Sequence, residues 1–268
     1  MFRTLNTLIC LAFVAGCTSA PDADPVEPDP ALTHVDPFSD GESVSKRQSE
    51  AVSSSAVVVD INQLPTRNYP VGSSASEFMS SDEQFGAMAE QLQIDIESDI
   101  KANDIRDANG LKQFHSTLMN IAIFQENYPE ARKQIELIRS LETNKARVHT
   151  TGLMMGAIID AWEHGGRNNP ASISLYERYL RERLSAMPWE VVEVDIIGRQ
   201  RNANQMNREV FQAIITTGLD PMFEQDGSVD STVARQLVTL KSIMDLQMPL
   251  MESTSVVYQQ AIDAHAGD

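Results

Sequence analysis

From Ser80 onward, apolar residues recur at intervals of three and four, and that period leaves few architectures open. A 3.6-residue repeat gathers such residues on one helix face, which must then be covered by another element. Ser80 and Glu83 have the spacing of a capping box, and Phe85, Met88, Ala89, Leu92, Ile96 and Ile100 follow as one stripe. After an expected break at Asn109-Gly110, a second stripe runs through Leu111, Phe114, Leu118 and Ile121. Pro129 suits the first turn of a third helix, with Ala131, Ile135, Ile138 and Leu141 on its buried face. Thr143 is placed to cap a fourth that stops at Gly165-Gly166, and Asn169-Pro170 opens a fifth. Pro188 begins a long sixth helix running towards Gly218, Gly227-Ser228 precedes a seventh, and Pro249 separates an eighth. Residues 80–268 therefore read as an all-α domain.

Two arrangements of these helices remain open, an irregular helical bundle and a helix-pair array. Pro129 and Pro170 each follow an asparagine and lie about forty residues apart, near the period of helix-pair repeats. The tryptophan, glycine and tyrosine at fixed offsets that mark tetratricopeptide repeats are missing, which favours the irregular bundle.

The first eighty residues have another character. Arg3 precedes an apolar run from Leu5 to Val14 that is too short to span about 30 Å of hydrocarbon, as a signal segment would be. Residues 18–56 carry Pro21, Pro25, Pro28, Pro30 and Pro37, many acidic residues and six serines from Ser43 to Ser55. Such a composition does not bury enough surface to order itself, so a disordered acidic tether is expected, with an end-to-end distance of about 35 Å. Residues 57–79, beginning Val57-Val58-Val59-Asp60-Ile61, favour a short extended segment that docks on the helical body or awaits a partner strand.

Val14-Ala15-Gly16-Cys17 closes the apolar run and resembles the lipobox of bacterial lipoproteins. The resemblance implies cleavage after residue 16, acylation of Cys17 and attachment to a membrane through that lipid, with residues 17–56 as the tether. Thr18 rather than aspartate after the cysteine implies the outer membrane of a Gram-negative cell, with the domain facing the periplasm. Cysteine usage agrees: Cys10 leaves with the signal, so Cys17 is the one cysteine of the mature chain, and the domain folds without disulfides. Stable anchoring needs more than one acyl chain, at about 0.8 kcal/mol per buried methylene.

Chemistry is harder to find. A net charge of −17 disfavours nucleic acid as a partner. Ser43-x-x-Lys46 matches the first element of the penicillin-binding nucleophile motif but falls in the tether, where nothing desolvates the lysine. Gly152-x-x-x-Gly156 reads as tight packing of two helices, with Arg147, His149 and Asp160 arguing against a membrane span. His115 reads as a partly buried structural histidine, and His149 and His164 as cations suited to a helix C-terminus. No histidine, cysteine or carboxylate set has metal-ligand spacing, and Asp226, Ser228 and Asp230 read as a solvated turn capping the next helix. No catalytic residue, cofactor or metal is expected. The polar middle of the sixth helix, with Arg199, Asn202 and Arg208, is either a solvated crossing or one wall of a polar groove. Met244, Met248 and Met251 read as core filling or as an adaptable surface.

A second resemblance concerns the helical part. Met187-Pro188-Trp189-Glu190-Val191-Val192 and the ending Tyr258-Gln259-Gln260-Ala261-Ile262-Asp263-Ala264 resemble parts of the region ahead of the catalytic domain in some subtilisin-like peptidases. The catalytic motifs of that family are absent from this sequence, so the resemblance implies an accessory or inhibitory helical region. The leading expectation is a membrane-anchored lipoprotein whose helical domain binds a protein partner or scaffolds a complex in the envelope.

Overall fold

A strap laid across helices begins the part of the chain that the computed structural model describes, which covers residues 61–103, 105, 107–203 and 208–266, with the side chains at 62 and at 199–208 excepted. A single turn of 3-10 helix at Ile61–Gln63 leads to strand β1, Asn68–Pro70. Its partner β2, Ser228–Asp230, lies about 160 residues later and runs antiparallel, with Asn68 opposite Asp230, Tyr69 opposite Val229 and Pro70 opposite Ser228. The Val71 amide donates to the Gly227 carbonyl at 2.9 Å, which makes Pro70 and Ser228 a non-hydrogen-bonded pair. A proline there removes no ladder bond, and it denies the outer edge a donor for further strands.

Helix α1 (Ala75–Ser80) follows, and Ser74 caps it by accepting the Glu77 amide. Residues 57–79 were expected to be a short extended segment; instead the last five of them, 75–79, belong to this helix, because Ser74 supplies a cap and Phe78 and Met79 have a core to enter. Ser80 accordingly ends α1, and Ser81 caps α2 (Asp82–Ala102), one residue later than the capping-box spacing suggests. Val57–Asp60 lie outside the described residues, as do the signal segment, Cys17 and the whole tether.

Helix α3 (Ala108–Phe124) is capped by Asp107, whose carboxylate accepts the Asn109 and Gly110 amides. Asn109-Gly110 is thus the first turn of a helix rather than a break. A Cβ at Gly110 would stand 2.5 Å from the Ile61 side chain, so the glycine makes the notch in which the strap starts. Asn127 caps α4 (Tyr128–Ser140) with Pro129 in its first turn, as the sequence implies. Asn144 rather than Thr143 caps the next helix, and that helix is split into α5 (Lys145–Thr150) and α6 (Leu153–Gly165) by Gly152 at φ +75°. Helix α7 (Ala171–Ser185) returns along α6. The pairs α3/α4 and α6/α7 are antiparallel hairpins, the most extensive helix contacts in the body.

The long sixth helix appears as α8 (Trp189–Ala203) and α9 (Arg208–Ala213), continued by a π-helical turn at Ile214–Leu219. After β2, α10 (Ser231–Ser242) passes through a π turn (Ile243–Gln247) and a 3-10 turn (Met248–Leu250) into α11 (Met251–Ala266). The supposed solvated turn is half right: Asp230 caps α10, but Ser228 and Val229 are buried in the strand pair. Met244 and Met248 pack against the core as gap-fillers.

Two apolar clusters result. The first gathers Tyr69, Phe78, Phe85, Leu92, Phe114 and Leu237. The second gathers Ile123, Ile135, Ile158, Trp162, Tyr176 and Leu246. Helix α3 serves both, turning Phe114, Leu118 and Ile121 to one and Met119, Ala122 and Ile123 to the other. The fold is all-α apart from one strand pair, and no helix among the described residues is long and apolar enough to cross a membrane.

Candidate functional site

Where the strap crosses α2, it roofs a cleft of about 110 Å³ bounded by α3 and the start of α10. Leu92, Ile96 and Phe114 make its floor. On α2, positions 92, 96 and 99 share one face, so Asp99 stands in line with the apolar stripe and is buried with it. Arg67 of the strap meets it in a two-pronged pair, Nη1 to Oδ2 at 2.6 Å and Nη2 to Oδ1 at 2.8 Å. One turn earlier, Asp95 accepts the Tyr69 hydroxyl at 2.9 Å and lies 3.8 Å from Arg67 Nε.

Those contacts set the electrostatics. The hydrogen bond to Asp99 raises the Arg67 pKa above its already high value, against the opposing effect of burial. Burial, followed by the hydrogen bond to Asp95, pushes the Tyr69 phenol up to about 12. At neutral pH the phenol is therefore a donor and not a base.

Ser231 is fully engaged. Its Oγ accepts the Arg67 amide at 3.1 Å and donates back to the Arg67 carbonyl at 3.2 Å. No histidine is among the residues that line the cleft; its titratable lining is Arg67, Tyr69, Asp95, Asp99, Asp230 and Arg235. Arg235 lies over the Phe114 ring at 5.3 Å, and Asp230 accepts the Thr232 and Val233 amides at the start of α10. The arrangement holds the strap to α2 and α10 through paired charges and shared hydrogen bonds.

Among the described residues, further polar contacts link the helices and their ends. Arg132 of α4 and Arg183 of α7 converge on Asp160 of α6, at 2.9 and 2.6 Å, and Arg132 also bonds Glu163. Gly156 makes this seam possible, since a Cβ there would stand 3.2 Å from the Arg183 guanidinium; the Gly152-x-x-x-Gly156 spacing is close helix contact. Burial pushes the Asp160 carboxyl up, but Arg183 and Arg132 outweigh it and hold the carboxyl below its usual range. Lys112 and Glu142 pair at 3.4 Å across the α3/α4 hairpin. Lys241, almost wholly buried on α10, reaches the Met79 carbonyl at 3.0 Å, Asp82 at 3.2 Å and Asp245 at 2.8 Å.

The residues singled out from sequence fall as follows. Cys17 lies outside the described residues. The backbone is helical at Arg199, Asn202 and Arg208, and their side chains lie outside the description, so the polar groove they were expected to line is neither assembled nor dispersed. His115 is buried as a structural histidine, its Nδ1 2.7 Å from Gln134 Oε1. His164 ends α6 with Nδ1 at 2.8 Å from the Asp160 carbonyl, and His149 ends α5 exposed. Among the described residues, no group of three or more histidines, cysteines or carboxylates is placed to hold a metal ion. Sequence reasoning missed Arg67, Asp95 and Asp99. The legible signal was an acid at position 99 on the buried face of a helix, which demands a cation from elsewhere.

Comparison of the chain with protein-family models, curated proteins and solved structures found no match.

Proposed function

We propose that this chain is a lipid-anchored envelope protein whose helical body binds or scaffolds other proteins. Cys17 carries the acyl chains, the acidic proline-rich segment 17–56 separates anchor from body, and the body faces the periplasm from the outer membrane of a Gram-negative cell. The mutual engagement of the cleft's polar groups weighs against turnover and leaves interaction as the reading. Arg67, Asp95 and Asp99 are tied to one another, and Ser231 is tied to the backbone. The helical body itself, in which the α3/α4 and α6/α7 hairpins make the most extensive helix contacts, supports the binding half.

Two measurements test it. Cys17→Ser is expected to abolish incorporation of labelled fatty acid and to release the protein from sedimenting envelopes; label and sedimentation that survive the substitution overturn the anchor. Cross-linking in intact envelopes followed by affinity retrieval is expected to return the same partner protein from independent preparations. No reproducible partner overturns the interaction reading.

A further inference from the structure

Asn109-Gly110 is the one Asn-Gly step in the sequence, and it stands in the first turn of α3 with Asn109 exposed and Gly110 buried. An asparagine followed by glycine carries its own electrophile and nucleophile. The Gly110 nitrogen can attack the side-chain carbonyl carbon of Asn109, and no Cβ on the glycine blocks the approach. The new N–C bond closes a succinimide ring as the Cγ–Nδ2 bond breaks. The side-chain nitrogen leaves as ammonia, taking the proton of the Gly110 amide. Water then opens the ring at either carbonyl, giving aspartate or isoaspartate. No reagent other than water is consumed.

Asp107 stands in the way of this reaction. Its Oδ2 accepts the Gly110 amide at 3.0 Å, its Oδ1 accepts the Asn109 amide at 3.1 Å, and its carbonyl accepts the Leu111 amide at 2.9 Å. Attack requires the Gly110 amide to lose its proton, and a carboxylate bound to that N–H makes the loss harder. It also requires the Asn109 ψ to leave the helical value of about −42°, which turns the next nitrogen away from the side chain. The reaction therefore runs from an opened first turn, and the cap sets how often that turn opens.

The fold ties this step to the strap. A Cβ at position 110 would stand 2.5 Å from Ile61 Cγ2 and 2.9 Å from Asp107 Oδ2, so the glycine cannot be given up. Ile61, only 8% exposed, fills the notch that Gly110 leaves. Isoaspartate at 109 routes the main chain through the side-chain carbons and adds a methylene ahead of the Gly110 nitrogen. That longer path parts the Gly110 amide from Asp107 and shifts the glycine beneath Ile61. Close-packed contacts do not absorb an added methylene without cost, so the seat of the strap is lost.

We infer that Asn109 is a self-modification site, closed by the Asp107 cap, whose conversion to isoaspartate unseats the start of the strap. It goes beyond the interaction reading and does not rest on it, since the change is covalent and lies within the body.

Peptide mapping of the full chain after incubation at mildly alkaline pH follows the site, because tryptic cleavage after Arg106 and Lys112 isolates Asp107–Lys112. The folded chain is expected to convert Asn109 at least ~10-fold more slowly than the same chain in urea. Asp107→Ala removes the cap and is expected to raise the folded rate ~5-fold, whereas Asp107→Ser, which still caps, stays near the unaltered chain. In the isoaspartate form, separated by chromatography, the Arg67 amide held by Ser231 and the Val71 amide held by Gly227 are expected to exchange ~10-fold faster, with α6 unchanged. A folded rate equal to that in urea, or equal rates for Asp107→Ala and Asp107→Ser, overturns the cap as the barrier. Strap exchange unchanged in the isoaspartate form overturns the unseating. A failure to retrieve any partner protein would leave all three results as they are, so the two readings fail separately.

Discussion

Removing either end of the Arg67–Asp99 pair should cost unequal amounts, and the inequality follows from what each removal leaves behind. The Asp99 side chain is 10% exposed and that of Arg67 33% exposed. Arg67→Met keeps the aliphatic stem but strands a buried carboxylate without its two donors, at about 3 kcal/mol, the low end for breaking a buried pair. Asp99→Asn leaves a guanidinium that water can reach, and the cost falls to about 1–1.5 kcal/mol. The double variant should cost about 2 kcal/mol, well below the sum, because a neutral amide no longer needs the cation. For a body of this size, about 2–4 °C per kcal/mol converts the Arg67→Met loss into a fall of about 6–12 °C in Tm. Urea unfolding followed by circular dichroism and by tryptophan fluorescence measures all three variants. Trp162 and Trp189 both belong to the second cluster, whereas the pair braces the first. Coincident transitions by both probes are expected, since α3 is shared by the clusters. An Asp99→Asn loss as large as that of Arg67→Met, or costs that add within about 0.5 kcal/mol, would refute the reasoning.

Two other outcomes are expected. Burial lowers the His115 pKa from its ordinary 6.5, with the Gln134 bond opposing and Lys133 reinforcing. The unfolded chain therefore binds the proton first as pH falls, so the contribution of His115 is complete above pH 6.5 and is lost on going below it towards the folded value. His115→Gln should flatten urea midpoints measured between about pH 5 and 7 in that window, where the carboxylates, which titrate lower, change little. At Gly152, φ is +75° and a Cβ would meet Ile135 Cγ2 at 2.6 Å, so Gly152→Ala should cost about 3 kcal/mol from backbone and overpacking together, read as a loss of thermal stability.

Local chemistry carried much of this fold on its face. The apolar period marked the helices because it reports which side of each must be covered, and Pro129, Gly165-Gly166 and Asp230 act at short range where they stand. A period does not say what covers a face. Gly110 looked like a break until Ile61 came to occupy the space beside it. Ser228 looked solvated until Pro70 paired with it from about 160 residues away. The position of Cys17 after a short apolar run is written in the sequence alone.

Partnership over distance belonged to the tertiary structure. Asp99 on a buried helix face announced that a cation was needed, but only the strap's path chose Arg67, and only the placement of α11 brought Tyr258 to Asp195, 63 residues away. The reason is physical: helix period and capping are settled within one or two turns, whereas a buried charge or hydroxyl is satisfied by whichever distant segment the packing delivers.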